Sequence, residues 1–184
     1  MALEIERRFL VSDDQWRPHA QRARAIRQGY LASGNGELTL RVRLARAVDG
    51  AMEAFLTLKL PAVGAAAASA SPGLALTRQE YEYPIPAIDA EALLEQSAHQ
   101  VSKMRYGLDL PGGDWVLDVF EAANAPLVVA EVELERADQA VAVPSWCSRE
   151  ITGRRELSNA ALAHRPLASW PAAEREALLL PRGR

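Results

Sequence analysis

The most restrictive feature of this sequence is the spacing of its charged residues. In seven segments, charged side chains recur at every second position and apolar side chains fill the positions between them. A β-strand places alternate side chains on opposite faces, whereas an α-helix repeats about every 3.6 residues. The segments are 3–11, 38–44, 56–60, 78–83, 103–108, 117–119 and 130–135. The spacing therefore predicts seven strands, each with charge on only one face.

These charged faces carry acidic and basic residues together. The acidic members are Glu4, Glu6, Glu80, Glu82, Asp118, Glu131 and Glu133, and the basic members are Arg8, Arg41, Arg43, Lys59, Arg78, Lys103 and Arg105. For any single strand, a polar face in water is the simpler interpretation. A barrel also explains why both signs recur, because all the charged faces then line one cavity and the apolar faces pack against helices outside. We therefore expect an α+β, mainly β fold built on an antiparallel barrel.

One helix is predicted between the first two strands. Ser12 and Gln15 have the spacing of a capping box, which favours a helix through about Gln28. Gly29 is placed to end this helix before a strand that begins at Tyr30.

Two further helical regions are predicted. Asp89 is positioned to cap a short helix that contains Leu94. The C-terminal tail, about 158–181, has helical signals near 158–163 and over 171–180. Because the last of these contains an apolar run, we expect it either to plug one mouth of the tunnel or to pack on a second subunit in a homodimer.

Composition limits the class of protein. A net charge of -3, with 49% hydrophobic and 24% charged residues, is typical of a soluble globular protein and gives no indication of nucleic-acid binding. A chain of 184 residues can bury about 70% of its unfolded surface as one domain, so we predict a single domain over 1–184. The single cysteine, Cys147, cannot form an intramolecular disulfide, and no residues have zinc-ligand spacing. These features favour the cytoplasm.

No membrane or export segment is predicted. The first residues are acidic, and no apolar stretch of a secretory signal follows them. Residues 60–77 are uncharged, but proline, glycine and serine interrupt a run that is mostly alanine. We therefore predict a flexible Ala-rich loop at about 61–77.

Paired carboxylates indicate a metal. Glu4 with Glu6, and Glu131 with Glu133, are same-face neighbours on a strand, about 7 Å apart, and repel each other unless a cation lies between them. Carboxylate oxygens suit Mg²⁺ or Mn²⁺, whereas zinc prefers nitrogen and sulfur.

Basic residues on neighbouring strands indicate a polyanionic ligand. Arginine can bind phosphate oxygens through two parallel hydrogen bonds, and lysine binds them as a compact point charge. The residues are Arg41, Arg43, Lys59, Lys103 and Arg105. Together with a carboxylate-bound metal, they point to phosphoryl chemistry on linked phosphates.

Ordered motifs then resemble a known family. The opening Glu4-Ile5-Glu6-Arg7-Arg8 resembles the ExExK signature of the CYTH, or triphosphate tunnel metalloenzyme, superfamily. Further blocks follow in order: Gln28-Gly29-Tyr30-Leu31, Arg41-Val42-Arg43, Leu58-Lys59, Glu80-Tyr81-Glu82-Tyr83, Lys103-Met104-Arg105-Tyr106, Val129-Ala130-Glu131-Val132-Glu133-Leu134, Glu150-Ile151-Thr152-Gly153 and Ser158-Asn159. The resemblance covers about residues 3–163 and is to the short bacterial branch. So many ordered blocks make it far more specific than one ExE pair.

This resemblance implies a fold and a site. The fold is an eight-stranded antiparallel β-barrel, a tunnel with helices packed outside, which binds a triphosphate and one or two Mg²⁺ or Mn²⁺ ions. The metal ligands it implies are Glu4, Glu6, Asp118, Glu131 and Glu133. The phosphate-binding residues are Arg41, Arg43, Lys59, Lys103 and Arg105, and the catalytic residues are Arg8, Glu80 and Glu82.

Two positions depart from the family pattern. Arg8 replaces the signature lysine, which keeps the charge but substitutes a larger planar group. Val116 stands where relatives often carry an acidic residue, two positions before Asp118, so one cavity carboxylate is missing. We expect altered phosphate geometry from the first and reduced metal occupancy from the second.

The family includes several activities, so membership alone does not name the reaction. Hydrolysis of inorganic tripolyphosphate is the favoured hypothesis. The alternatives are class IV adenylate cyclase-like cyclisation of ATP and a non-catalytic polyphosphate- or nucleotide-binding module.

Overall fold

The computed structural model describes residues 3–33, 38–61 and 76–180, and within them the side chains of 4–32, 38–61 and 79–180. Nine antiparallel strands form one sheet in these ranges. They are β1 (Leu3–Val11), β2 (Ala20–Ser33), β3 (Thr39–Ala47), β4 (Met52–Pro61), β5 (Leu76–Pro84), β6 (Gln100–Leu108), β7 (Asp114–Phe120), β8 (Val128–Glu133) and β9 (Cys147–Glu150). The helices are α1 (Ala87–Gln96), α2 (Asn159–His164) and α3 (Ala172–Leu179), joined by short 3₁₀ turns.

The first strand joins the two ends of the sheet. The strand order is β5-β4-β3-β2-β6-β7-β8-β1-β9, and β1 also pairs with β5. Glu6 is opposite Glu133 on β8, while Glu4 is opposite Arg78 on β5. Strands β1 to β8 therefore form the wall of a tunnel, and the predicted mainly β antiparallel fold is confirmed. Strand β9 is an addition to the prediction, and it pairs with the end of β1 at Phe9–Val11.

The helix predicted from Ser12 through about Gln28 is wrong. A 3₁₀ turn covers Arg17–His19, and the strand β2 begins at Ala20. The Ser12 hydroxyl donates to the Trp146 carbonyl oxygen and does not cap a helix. Because β2 pairs with β3 on one edge and β6 on the other, sheet pairing overrides the local helical signal.

Helix α1 confirms the predicted short helix, but not its cap. Asp89 lies within the first turn, and Pro86 precedes the helix, so the predicted capping role of Asp89 is wrong. Val42 and Leu44 of β3 pack with Ala54 of β4 against Leu94 of α1. The apolar outer face of these strands is therefore covered by a helix, as predicted.

The Ala-rich loop predicted at about 61–77 falls mainly on residues 62–75, outside the described residues. Pro61 ends β4 and Leu76 begins β5. No helix in the described ranges has both the length and the apolar character needed to span a membrane.

The C-terminal segment packs against one end of the strands. Four apolar residues, Leu10, Val101, Phe120 and Val129, continue the charged inward faces of β1, β6, β7 and β8. They form one buried cluster, here called the apolar end, with Leu157, Leu162, Leu167, Trp170 and Leu178. This packing supports the plug interpretation of the tail, and the two predicted helices correspond to α2 and α3. The homodimer stays a prediction.

Candidate active site

The inward side chains of the strands line a cavity of about 480 Å³. Eleven of the thirteen predicted site residues lie in its wall: Glu4, Glu6, Arg8, Arg41, Arg43, Lys59, Glu80, Glu82, Arg105, Glu131 and Glu133. Alternation along each strand brings them together, because the charged members share the face that turns inward. We call this lining the charged half of the interior.

Lys103 and Asp118 are not part of this lining, although both were predicted as ligand-binding residues. They are fully buried and form an ion pair of 2.5 Å. Asp118 also accepts two hydrogen bonds of 2.7 Å from the Arg105 guanidinium, one from Nε and one from Nη2. Burial lowers the pKa of Lys103 to about 8. The pair lies behind the lining and orients Arg105, which itself lies in the cavity wall.

Arg8 links the charged half to the apolar end. Its Nε donates to Glu131 at 3.0 Å, and its Nη1 donates to the Leu157 carbonyl oxygen at 3.1 Å. Its Nη2 is buried and has no hydrogen-bond partner among the described residues. An anion in the cavity would give this donor an acceptor, which is the environment expected of a phosphate-binding arginine.

Strands β3, β4 and β5 present a second basic group. Arg41 donates to Glu82 at 3.1 Å and to the Thr57 hydroxyl at 3.1 Å, while Arg43 donates to the other oxygen of Glu82 at 3.2 Å. The Nε atoms of Arg41 and Arg43 are also buried and have no hydrogen-bond partner in the part of the chain that the structure describes. Lys59 lies nearby and donates to both oxygens of Glu4, at 2.7 and 2.6 Å.

Two carboxylates of the cavity, Glu6 and Glu133, have no side-chain hydrogen bond or ion pair with any described residue. Glu4, in contrast, is held by Lys59, and Glu131 by Arg8 and Arg105. Burial, together with the charges of Glu131 and Glu4, raises the pKa of Glu6 to about 7. Burial acts against ionisation of Glu131 as well, but the Arg105 and Arg8 guanidiniums hold its pKa well below the usual range.

This donor set fits a hard divalent cation. The described part of the lining offers six carboxylates, which magnesium and manganese accept, and no histidine or cysteine. The described residues contain no group of three carboxylate, imidazole or thiol side chains already gathered to hold a metal ion, since Glu4 and Glu131 turn toward basic partners. A cation near Glu6 would relieve the repulsion that raises its pKa.

Val116 lies on β7 directly opposite Glu131 of β8, and its apolar side chain is half-buried. The position therefore adds no carboxylate beside Glu131, as the sequence predicts.

Some lining residues escaped prediction from the sequence. Tyr30 comes from β2, and Arg154, Arg155, Ser158 and Asn159 come from the segment after β9. Ser158 and Asn159 belong to a block that resembles the family, but no site role was predicted for them. Arg154 and Arg155 have only an indirect signal: they are two consecutive arginines after a glycine, between two such blocks. They have no strand alternation, so the periodicity that found the other residues could not find them.

The fold and the cavity define a tunnel built to hold a polyanion beside a cation. A family model described as CYTH domain matches residues 2–163. An inorganic triphosphatase from Acetivibrio thermocellus is 32% identical over 172 residues, covering 92% of this chain and 99% of the relative. An inorganic triphosphatase from Nitrosomonas europaea is 37% identical over 165 residues, covering 87% and 96%. The chain therefore belongs to the CYTH family, which confirms the resemblance.

Solved structures agree with this assignment. The crystal structure of the inorganic triphosphatase NE1496 is 34% identical in sequence and superposes with a TM-score of 0.58, covering 94% of this chain and 99% of that one. The PH1012 protein from Pyrococcus horikoshii, at 17% identity and a TM-score of 0.51, shows the same fold.

Proposed function

We propose that this chain is a metal-dependent hydrolase of inorganic tripolyphosphate. The observation that carries the proposal is the convergence of Arg8, Arg41, Arg43, Lys59 and Arg105 with six glutamates in one cavity. Both relatives that match over most of their length are named inorganic triphosphatases. Triphosphate tunnel enzymes of this family are metal-dependent, and we propose Mg²⁺ or Mn²⁺ as the metal.

The charges of the cavity nearly cancel before any ligand binds. Seven basic side chains, including Arg154 and Arg155, and six glutamates line it, so its net charge is close to zero at neutral pH. Such a cavity attracts a polyanion only weakly until cations join it. Divalent cations held by the glutamates would supply that charge, neutralise phosphate oxygens and activate water.

We assign the protein groups as follows. Glu4, Glu6, Glu131 and Glu133 hold metal, and Asp118 contributes from behind them by orienting Arg105. Arg41, Arg43, Lys59 and Arg105 bind the phosphate oxygens, and Lys103 fixes Asp118. Arg8 stabilises charge on the reacting phosphate, and Glu80 with Glu82 orients the attacking water. The guanidinium groups exchange their present carboxylate partners for phosphate when substrate enters.

A substrate panel tests the reaction. Phosphate release is measured from tripolyphosphate, ATP and thiamine triphosphate with Mg²⁺ or Mn²⁺. The variant Glu4→Gln/Glu6→Gln removes two proposed ligands, and Glu135→Gln is the matched control because Glu135 is exposed just beyond β8. We expect metal-dependent release from tripolyphosphate by the parent and the control. If the parent releases phosphate from tripolyphosphate no faster than the double variant does, the proposal is overturned.

The same preparation separates the alternatives. Cyclic AMP detected by mass spectrometry after incubation with ATP would identify a cyclase. Tight calorimetric binding of tripolyphosphate without turnover would identify a binding module, and Arg8 would be the first residue to examine.

We also propose a cytoplasmic location and retain the single domain over 1–184 as a prediction. Size-exclusion chromatography with light scattering tests the homodimer. Deletion of residues 171–184 should reduce the mass to one chain if α3 forms the contact, and an unchanged oligomeric state would reject that role.

A further inference from the structure

Two arginines outside the strands lie at the edge of the charged half. Arg154 and Arg155, here called the outer arginine pair, line the cavity and follow Gly153, whose φ of +74° favours glycine. The Arg154 amide donates to the Ile151 carbonyl oxygen at 3.0 Å, and the Leu157 amide donates to the Arg154 carbonyl oxygen at 3.1 Å. The backbone that carries the pair is therefore a hydrogen-bonded turn.

This turn is attached to the strand that carries the proposed metal ligands. The Arg8 amide donates to the Thr152 hydroxyl at 3.0 Å, and the Ile151 amide donates to the Arg8 carbonyl oxygen at 2.8 Å. On the far side of the pair, buried Leu157 accepts a hydrogen bond from the Arg8 side chain. Contacts on both sides fix where the outer arginine pair stands relative to Arg8.

The pair differs from the inner basic residues in how its charge is balanced. The inner basic residues are those that the strands place in the lining: Arg8, Arg41, Arg43, Lys59 and Arg105. Each of them is ion-paired with a carboxylate that also lines the cavity. Arg154 pairs instead with Glu156, which is not part of the lining, and their side chains are 39% and 45% exposed. Such surface pairs contribute little free energy, so an anion displaces the partner easily. Arg155 is exposed and has no ion pair with any described residue.

We propose that the outer arginine pair is an additional phosphate subsite that selects for chain length. Resting on the proposed function, the inference is that inner residues hold the three phosphates next to the metal. A fourth phosphate of a linear polyphosphate then reaches Arg154 and Arg155. The guanidinium groups are suited to this because they bind phosphate oxygens in pairs and lose little hydration. The ligand class that occupies this subsite is therefore linear polyphosphate of four or more units, which binds in addition to tripolyphosphate.

Steady-state kinetics test this subsite. KM and kcat are measured for tripolyphosphate and tetrapolyphosphate on the parent and on Arg154→Gln/Arg155→Gln. The control Arg46→Gln/Arg136→Gln removes the same charge from two exposed arginines outside the lining. Because two charge-assisted contacts are lost, we expect KM for tetrapolyphosphate to rise about tenfold or more with kcat unchanged, and KM for tripolyphosphate to rise about twofold. The control should change both KM values equally and only slightly.

Other outcomes are equally decisive. Equal KM changes for the two substrates, or changes no larger than in the control, would overturn the subsite even if the parent is an active triphosphatase. If the parent hydrolyses neither substrate, the proposed function fails, and calorimetry of the same two polyphosphates still tests the subsite. A Kd ratio between tetrapolyphosphate and tripolyphosphate that is the same in parent and variant would then overturn it. Thermal unfolding of each variant verifies that it is folded.

Discussion

The charged half and the apolar end are built from the same faces of the same strands. On β1, Glu6 and Arg8 line the cavity, and Leu10, two residues on, belongs to the apolar cluster. On β8, Glu131 lines the cavity, and Val129 belongs to the apolar cluster. The two-residue alternation of side chains continues unchanged along each strand, so this alternation decides which side chains turn inward. The C-terminal segment decides whether an inward side chain meets a packed core or a cavity.

The two regions are held together by different forces. The apolar end is stabilised because folding removes its apolar surface from water. The charged half instead has ion pairs that cross between strands, and burial of those charges offsets much of their mutual attraction. The charged half is therefore arranged for ligands, and the apolar end supplies much of the stability that keeps it in place.

The largest effect is expected at Asp118, because this charged residue is fully buried. Asp118→Ala leaves Lys103 as a buried charge without its ion-pair partner, and it removes two hydrogen bonds from Arg105, which keeps its ion pair with Glu131. We expect a loss of about 3–5 kcal/mol in the free energy of unfolding, measured by urea denaturation. Asp114→Ala, on the same strand but exposed, should change it by less than about 0.5 kcal/mol. Similar losses in the two variants would contradict the distinction between buried and exposed carboxylates on β7.

Next in size is a cavity at the apolar end. Leu162 of α2 is fully buried, so Leu162→Ala should cost about 2–5 kcal/mol in the same denaturation experiment. Leu180→Ala, at a position 65% exposed, is the matched control and should have little effect. If Leu162→Ala were as stable as the control, the tail would not be the plug described above.

The pH dependence of stability distinguishes the regions through Glu6. Because burial and neighbouring carboxylates raise its pKa from 4.5 to about 7, the neutral form is favoured in the folded state. Its stabilising contribution is complete below pH 4.5 and is lost as the pH rises through 7. Metal-free protein should lose roughly 2–3 kcal/mol over this window, and Glu6→Gln should reduce the loss. The same slope in parent and Glu6→Gln, with Glu135→Gln as control, would show that Glu6 is not the group responsible.

The smallest effect concerns Arg8, which contacts both regions. Arg8→Lys keeps the positive charge near Glu131 but loses the hydrogen bond from Nη1 to the Leu157 carbonyl oxygen. We expect a loss of about 1 kcal/mol in the free energy of unfolding, with triphosphatase activity retained. A variant as stable as the parent would show that the guanidinium does not tie the C-terminal segment to β1.

Much of the fold followed from alternation alone, and the failures have physical causes. The first part of β2 was predicted as a helix because Ser12 and Gln15 have the spacing of a capping box, whereas pairing on both edges decides the outcome. β9 was absent from the prediction because Cys147–Glu150 is too short for a period to be detected.

The site was predictable to the same degree as the strands. Alternation placed Glu4, Glu6 and Arg8 on one face, and they line the cavity together. Alternation does not show whether an inward side chain reaches the cavity surface. Lys103 and Asp118 were therefore predicted as part of the lining, although they are buried behind it. Arg154 and Arg155 lie in a turn, where no period applies, and only the three-dimensional fold brings them to the cavity.

The most direct test of the central claim is the rate of metal-dependent phosphate release from tripolyphosphate by Glu6→Gln and Glu135→Gln, measured side by side. Glu6 and Glu133 are the carboxylates of the described lining without an ion pair, and burial with neighbouring carboxylates raises the pKa of Glu6 to about 7, so we assign Glu6 to the metal. We predict that Glu6→Gln loses at least about a hundredfold in kcat, since it removes charge at the metal-assisted step, while Glu135→Gln matches the parent. Equal rates in the two variants would contradict the assignment of the charged half as the catalytic site.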